Sequence, residues 1–245
     1  MNKASDTMRI IDVRFSDINH VVYALDDYLL ALEAHIETLP KYQSDIAHQR
    51  LTEGDLWEDE AEVSLAFQLS GHYGKDLFPR MIRNSFVVSL WSIYEGAARN
   101  ISDFVQRHDA NATKFDDPTQ NAKPTNNSGN VLQRLRRHYK SELIFNLCEA
   151  ADYEHLNDLL LLRNIIAHDN GSVERTRRKA SGGKHLQRIL DRHDGVTITR
   201  FEDSLDLNSA YVGRACKLVT SSLEGLIDRA RIRDDALILM MKKTA

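Results

Sequence analysis

The chain has 245 residues, 42% of them hydrophobic, and a formal net charge of −4. A chain of this length and apolar content can bury a substantial core, which excludes disorder throughout. The longest purely apolar run, Ala236 to Met241, ends at Lys242 and is far shorter than the roughly 20 residues that span a bilayer.

Charge and cysteine usage indicate where the protein works. Lys3 and Asp6 at the N-terminus are not followed by an apolar segment, so we expect no signal peptide, no membrane partner and a cytoplasmic location. Cys148 and Cys216 lack metal-ligand spacing and predict free thiols in a reducing compartment. Residues 131–200 sum to a charge of +4, which predicts either a basic face for a polyanion or merely solvated helix faces.

Helical periodicity dominates residues 10–75. Apolar residues recur at helical spacing over 10–39 and predict a long first helix, which Pro40 is expected to end. Residues 41–75 predict further helix with an acidic interruption at 58–60.

The next helix is predicted to be central. Pro79 fits its first turn, and the apolar stripe continues through Trp91 and Tyr94 towards Val105. We expect these aromatic side chains in a core stripe.

Residues 109–130 are rich in Asn, Asp, Thr and Pro and predict an exposed loop, either mobile or a binding element. Helical sequence resumes over 131–147 and 152–168. Asn170 and Gly171 then supply the residue types that tolerate the left-handed conformation of a helix C-terminus.

The last third of the chain mixes helix with a small strand pair. A polar stretch over 172–183 leads to a short helical piece at 186–190, and residues 195–201 alternate as a strand does. Residues 205–207 could pair with that strand, and a final helix begins after Asn208. We therefore predict an all-α fold, a bundle of about six to eight helices with a small peripheral β-hairpin.

The helix over 159–168 is apolar almost throughout, yet it carries an Arg and a His near its end. Asn164 and His168 are four apart and share a face, whereas Arg163 and His168 lie about 140° apart around the axis. One helix is therefore not expected to bring Arg163 and His168 easily onto one phosphate. A second copy across a two-fold axis could do so.

A purely structural explanation competes with a functional one. Cationic side chains near a helix C-terminus interact favourably with its negative end, and Asn170-Gly171 is an ordinary stop signal. On this interpretation, Arg163 and His168 only cap the helix.

The segment from Arg163 through Asn164 to His168 resembles the motif of the HEPN superfamily (higher eukaryotes and prokaryotes nucleotide-binding), which is an Arg, about four to six residues and a His, commonly with a polar residue after the Arg. Only this segment combines the polar second residue, an apolar helical approach and a turn after the His. Three other pairs share the spacing alone: Arg14 with His20, Arg178 with His185, and Arg188 with His193.

Residues 83–95 also resemble the helix that packs beside the motif helix in this superfamily, and the resemblance spans roughly residues 80–240. We accordingly expect a HEPN-like helical domain over 79–245, with residues 1–78 as a helical extension packed on it.

The resemblance implies a metal-independent endoribonuclease without a cofactor, homodimeric, with the motif helices of both copies at a shared cleft. In this interpretation His168 moves a proton to or from the ribose 2′-hydroxyl or the leaving oxygen, and Arg163 holds the scissile phosphate. Asn164 would orient the phosphate or the His, and Asp169 would tune the His.

Such enzymes imply roles in toxin action, stress or antiviral defence, with an antitoxin or defence-system partner. Asn170 stands where the toxins paired with a nucleotidyltransferase antitoxin carry Tyr. The alternative is a non-catalytic dimeric HEPN module that binds RNA, a nucleotide or a protein partner.

Further charged residues could support RNA binding or could simply be solvated. Glu95 lies in an apolar stretch and is expected to form a structural ion pair with Arg163 or another cation. The other histidines, among them His155, have no ligand partners at metal-ligand spacing, so we expect no metal. The predicted RNA-binding residues are Arg134, Arg136, Arg137, Lys140, Arg175, Arg177 and Arg178.

Overall fold

The computed structural model describes residues 15–52, 60–108, 115, 129–199 and 202–244. These residues form a helical bundle with one small antiparallel hairpin, which confirms the predicted all-α class. Among them, no helix is long and apolar enough to cross a bilayer.

The chain divides into two compact units. The first unit comprises residues 1–25, 96–148 and 220–245, and the second comprises 26–95 and 149–219. The domain boundary expected after residue 78 stays a prediction. The motif residues Arg163 and His168 lie in the second unit.

The elements follow one another along the chain with short connections. They are α1 Ser16–Thr52, α2 Glu60–His72, a π-helical segment Tyr73–Leu77, α3 Phe78–His108, α4 Val131–Ser141, α5 Ala150–Asp169, α6 Glu174–Arg178, α7 Ala180–Arg192, β1 Val196–Ile198, β2 Leu205–Leu207 and α8 Ser209–Thr244.

Helix α1 continues through Pro40, so the expectation that Pro40 ends the first helix is wrong. Proline lacks an N–H and interrupts the hydrogen bonding of a helix interior. Here packing outweighs that loss, because Leu39 and Ala47 on either side are buried. Gly74 approaches the same turn so closely that a Cβ there would lie 2.8 Å from Pro40 Cα.

The π-helical segment is explained by Pro79, which lies in the first turn of α3 as predicted. In a regular α-helix the proline ring would collide with the carbonyl four residues back. The π turn is wider, and the Phe78 N–H donates to the Tyr73 carbonyl, five residues back. Trp91 and Tyr94 further along α3 are almost fully buried, which confirms their place in the core.

Helix α4 begins with a capping box, in which Asn130 and Gln133 satisfy each other's backbone N–H groups. It ends at Ser141, so the helix predicted as far as residue 147 is shorter than expected. Exposed Ile144 has φ 61°, a left-handed conformation that no α-helix interior contains.

Two buried hydrogen bonds join α3 to α4 in the first unit. The Tyr139 hydroxyl donates to the Ala98 carbonyl, and Ser102 Oγ lies 2.7 Å from His138 Nε2. The Phe115 ring lies beside His138, with ring centroids 5.3 Å apart. The mobility expected for 109–130 otherwise falls outside the described residues.

Residues 172–183 hold more helix than predicted, in α6 and the start of α7. The hairpin is confirmed, with Val196 opposite Leu207 and Ile198 opposite Leu205. The segment that leaves α5 also joins it. Leu205 N–H donates to Gly171 O at 2.9 Å, and Val173 N–H donates to Asp203 O at 2.9 Å.

Candidate functional site

The C-terminus of α5 is closed by its own backbone. Asn170 and Gly171 have φ angles of 54° and 84°, and both N–H groups donate to the Ile165 carbonyl. This is the glycine-type helix end that the sequence predicts. Among the described residues, the Arg163 and His168 side chains bond to none of the last carbonyls, so helix capping does not account for them.

Arg163 and His168 meet within one chain. Arg163 Nη1 lies 3.0 Å from Asn164 Oδ1 and 3.3 Å from His168 Nε2. The expectation that one helix cannot easily bring them together is therefore wrong. The 140° separation describes where the side chains leave the helix, whereas an arginine side chain is long enough to fold back along it.

The guanidinium of Arg163 has no counter-ion among the described residues. Its contacts there are the neutral side chains of Asn164 and His168, and its Nε is buried without a hydrogen-bond partner. A half-buried cation in this state favours an anion that would complete its donors. Glu95 instead accepts a hydrogen bond from Trp91 Nε1 at 3.1 Å, and a pair with some other cation stays a prediction.

An open cleft of about 490 Å³ lies beside the motif. Its wall includes Asn164, the exposed His168 and Lys179. Asp169 and Arg175 line it as an ion pair with a separation of 3.3 Å, so Asp169 is engaged with Arg175. The cleft therefore offers His168 to solvent together with a lysine, and both suit an anionic ligand.

Asn84 is a neighbour of the motif that sequence reasoning missed. A Cβ on Gly171 would lie 3.6 Å from Asn84 Nδ2, which places α3 against the end of α5. Asn84 Oδ1 is buried without a hydrogen-bond partner. The preceding residue, Arg83, binds Glu33 through two bonds of 2.9 and 2.6 Å, and the hydrogen bond from Glu33 raises the pKa of Arg83.

The predicted RNA-binding arginines of α6 are all engaged in ion pairs. Arg175 pairs with Asp169, Arg177 with Asp203 at 2.7 Å, and Arg178 with Glu174. Such exposed pairs are weak and exchange readily for phosphate. The other predicted cluster lies on α4 in the first unit, where Arg136, Arg137 and Lys140 are exposed and Arg134 lies over the Phe115 ring.

A second polar cluster surrounds Asp158, a buried residue of α5. Its carboxylate contacts His185 Nε2 at 2.8 Å, His193 Nε2 at 3.0 Å and Arg192 Nη1 at 3.0 Å. Burial alone would raise the pKa of Asp158, but the hydrogen bonds from His193 and His185 and the charge of Arg192 lower it. Burial likewise raises the pKa of the nearby Tyr211.

One group in this cluster could hold a metal ion. The ligand atoms of His155, Asp158 and His193 all lie within 4.8 Å of one another. Sequence reasoning missed this group because His193 is far along the chain from the other two, and only tertiary structure brings it near. An i, i+3 pair of His155 and Asp158 on one helix was the single signal available.

Comparison with known proteins gives no family assignment. No protein-family model matches this chain, and searches of curated proteins and of solved structures found no match.

Proposed function

We propose that this chain is a HEPN-type, metal-independent endoribonuclease that cleaves RNA through the 2′-hydroxyl. The observation that carries the proposal is the Arg163 guanidinium without a described counter-ion, in contact with an exposed His168 beside an open cleft. The resemblance of the Arg163 to His168 segment to the superfamily motif supplies the reaction class.

The contact between Arg163 and His168 suggests how the reaction starts. Arginine can only donate hydrogen bonds, so a bond to His168 Nε2 requires that this nitrogen carry a lone pair. His168 is then neutral at Nε2, the form that can accept a proton. An incoming phosphate competes for the Arg163 donors and frees Nε2 for the ribose 2′-hydroxyl.

Each residue then has a defined role. His168 takes the proton of the 2′-hydroxyl as that oxygen attacks the adjacent phosphorus, and Arg163 offsets the charge that builds on the phosphate oxygens. Asn164 holds the guanidinium through its Oδ1. A reaction that uses the 2′-hydroxyl confines the enzyme to RNA.

The homodimer remains part of the proposal on the resemblance alone. Because Arg163 and His168 already meet within one chain, a second copy is not needed to bring these two side chains together. A shared cleft would instead place two such pairs near one RNA strand. A role in toxin action, stress or antiviral defence likewise rests on the resemblance.

The test is cleavage of total cellular RNA in the presence of a chelator by the wild type, Arg163→Ala and His168→Ala. We expect cleavage by the wild type and a loss of about 100-fold or more in each variant, the usual effect of removing a general base or a charge-stabilising group. Circular dichroism and thermal melting would verify that each variant is folded.

Arg188→Ala is the matched control, because Arg188 is exposed and has the same spacing to His193 as Arg163 has to His168. It should cleave at the wild-type rate. Equal activity in all four proteins, or none in any, would remove catalysis from the motif. Retained RNA binding by inert proteins would then favour the non-catalytic module.

A further inference from the structure

The cluster around Asp158 lies away from the cleft and is not used in the proposed reaction. Asp158 and His168 are ten residues apart on α5, which corresponds to about 15 Å along the helix axis. Asp158 is buried, and its two carboxylate oxygens accept from side chains on other elements. A buried carboxylate with this many basic neighbours is either an ion-pair network or a metal ligand.

We propose that His155, Asp158 and His193 bind a divalent transition-metal ion, with Zn²⁺ as the preferred ion. Two imidazoles and one carboxylate form a ligand set that zinc commonly takes in proteins. All three ligand atoms already lie within 4.8 Å of one another.

The separations fit a metal bridge closely. Zinc bonds of about 2.0–2.1 Å at tetrahedral angles place neighbouring ligand atoms about 3.3 Å apart. His193 Nε2 and Asp158 Oδ2 are 3.0 Å apart, so an ion between them needs an opening of only a few tenths of an ångström. The metal would take the place of the hydrogen in that bond.

His155 is the feature that an ion-pair network alone leaves unexplained. Its ring contacts the His193 ring, with centroids 5.3 Å apart, and its side chain is partly exposed. Its nitrogens make no hydrogen bond with another described residue. Rotation of this side chain would bring a third ligand to an ion bound between Asp158 and His193.

The groups that would support the ligands are already in position. His185 Nε2 binds Asp158 Oδ1 at 2.8 Å, and Arg192 Nη1 binds Oδ2 at 3.0 Å. Such outer partners fix the orientation of a ligating carboxylate. Arg192 also pairs with Glu154 at 3.0 Å, which offsets its charge beside a cation.

The site also has access and space. A cavity of about 180 Å³ is lined by His155, His193, Tyr211 and Arg214, and it is large enough for a water molecule as the remaining ligand. A bound ion would tie α5 to His193, the residue that follows α7. We therefore infer a structural role in the second unit.

The experiment is a titration of chelator-treated, tag-free full-length protein with Zn²⁺ by isothermal calorimetry, followed by Co²⁺ absorption spectroscopy. The wild type should bind one equivalent of Zn²⁺, give a tetrahedral Co²⁺ spectrum and melt at a higher temperature when Zn²⁺ is present. His155→Ala should lose at least about tenfold in affinity, and since His155 is partly exposed this variant should remain folded.

His72→Ala is the matched control, because His72 is an exposed histidine that lies 3.2 Å from a carboxylate of Asp76, in a pair without a third ligand. It should bind Zn²⁺ as the wild type does. Absence of saturable one-to-one binding in the wild type, or equal affinity in His155→Ala, would overturn the proposal. RNA cleavage is not measured here, so the outcome is independent of the proposed ribonuclease activity.

Discussion

Arg163 is the residue on which the proposed reaction most depends. Its guanidinium contacts Asn164 and His168 at the same time, which uses the planar spread of its donors rather than its charge alone. A lysine keeps the charge but presents it as a single point.

Arg163→Lys should therefore lower the cleavage rate by about tenfold or more, although the net charge is unchanged. The initial rate on a labelled RNA measures the effect. Arg188→Lys is the control and should cleave like the wild type. A wild-type rate for Arg163→Lys would show that charge alone is sufficient at this position.

Tyr139 gives a residue-scale prediction for stability. Its ring is fully buried, and its hydroxyl donates to the Ala98 carbonyl. Tyr139→Phe removes one buried hydrogen bond and should lower the free energy of unfolding by about 1 kcal/mol, measured by urea denaturation. Tyr42→Phe, at a residue that is 60% exposed, should change it little. Equal stability of the two variants would contradict a net contribution from the bond.

At the scale of elements, the contact between the π-helical segment and α1 can be tested with a pair of glycines. Gly74→Ala would place a Cβ 2.8 Å from Pro40 Cα and 3.1 Å from Leu39 O, so we expect a loss of about 1–3 kcal/mol in stability from overpacking.

Gly71, three residues earlier, has open space where a side chain would begin, since a Cβ there would meet nothing within 4 Å. Gly71→Ala should instead raise stability by about 0.5–1 kcal/mol, because alanine is the better helix former. Chemical denaturation of both variants makes the comparison. A stabilising Gly74→Ala would mean that α1 and the π-helical segment are not in close contact.

How far the elements could be predicted depends on how local their causes are. The end of α5 was predictable, because Asn170 and Gly171 carry the left-handed conformation themselves. The passage of α1 through Pro40 was not, since it depends on the close approach of Gly74, 34 residues away in the sequence.

The candidate sites divide in the same way. The motif residues could be selected from the sequence, but their direct contact could not, because helix geometry gives directions and not side-chain reach. The group of His155, Asp158 and His193 escaped prediction because α7 must fold back on α5 before His193 arrives.

At the scale of the whole molecule, both candidate sites lie in the second unit, and the pair of Arg163 and His168 belongs to a single chain. A mixture of the Arg163→Ala and His168→Ala proteins should therefore regain no activity. If one chain supplied the arginine and another the histidine, random pairing would restore up to about a quarter of the wild-type rate. RNA cleavage by the mixture, after subunit exchange has been verified, distinguishes the two arrangements.

The pairing of Gly171 and Val173 with residues 203–205 has a consequence for redesign of this protein. The chain that leaves the motif helix is stitched to the hairpin loop, so the loop sets where the wall of the cleft begins. An insertion of one residue between Ser204 and Leu207 would reverse the inward and outward alternation of β2. Leu205 and Leu207 would then exchange burial for solvent, which makes this small hairpin a poor place to graft foreign sequence.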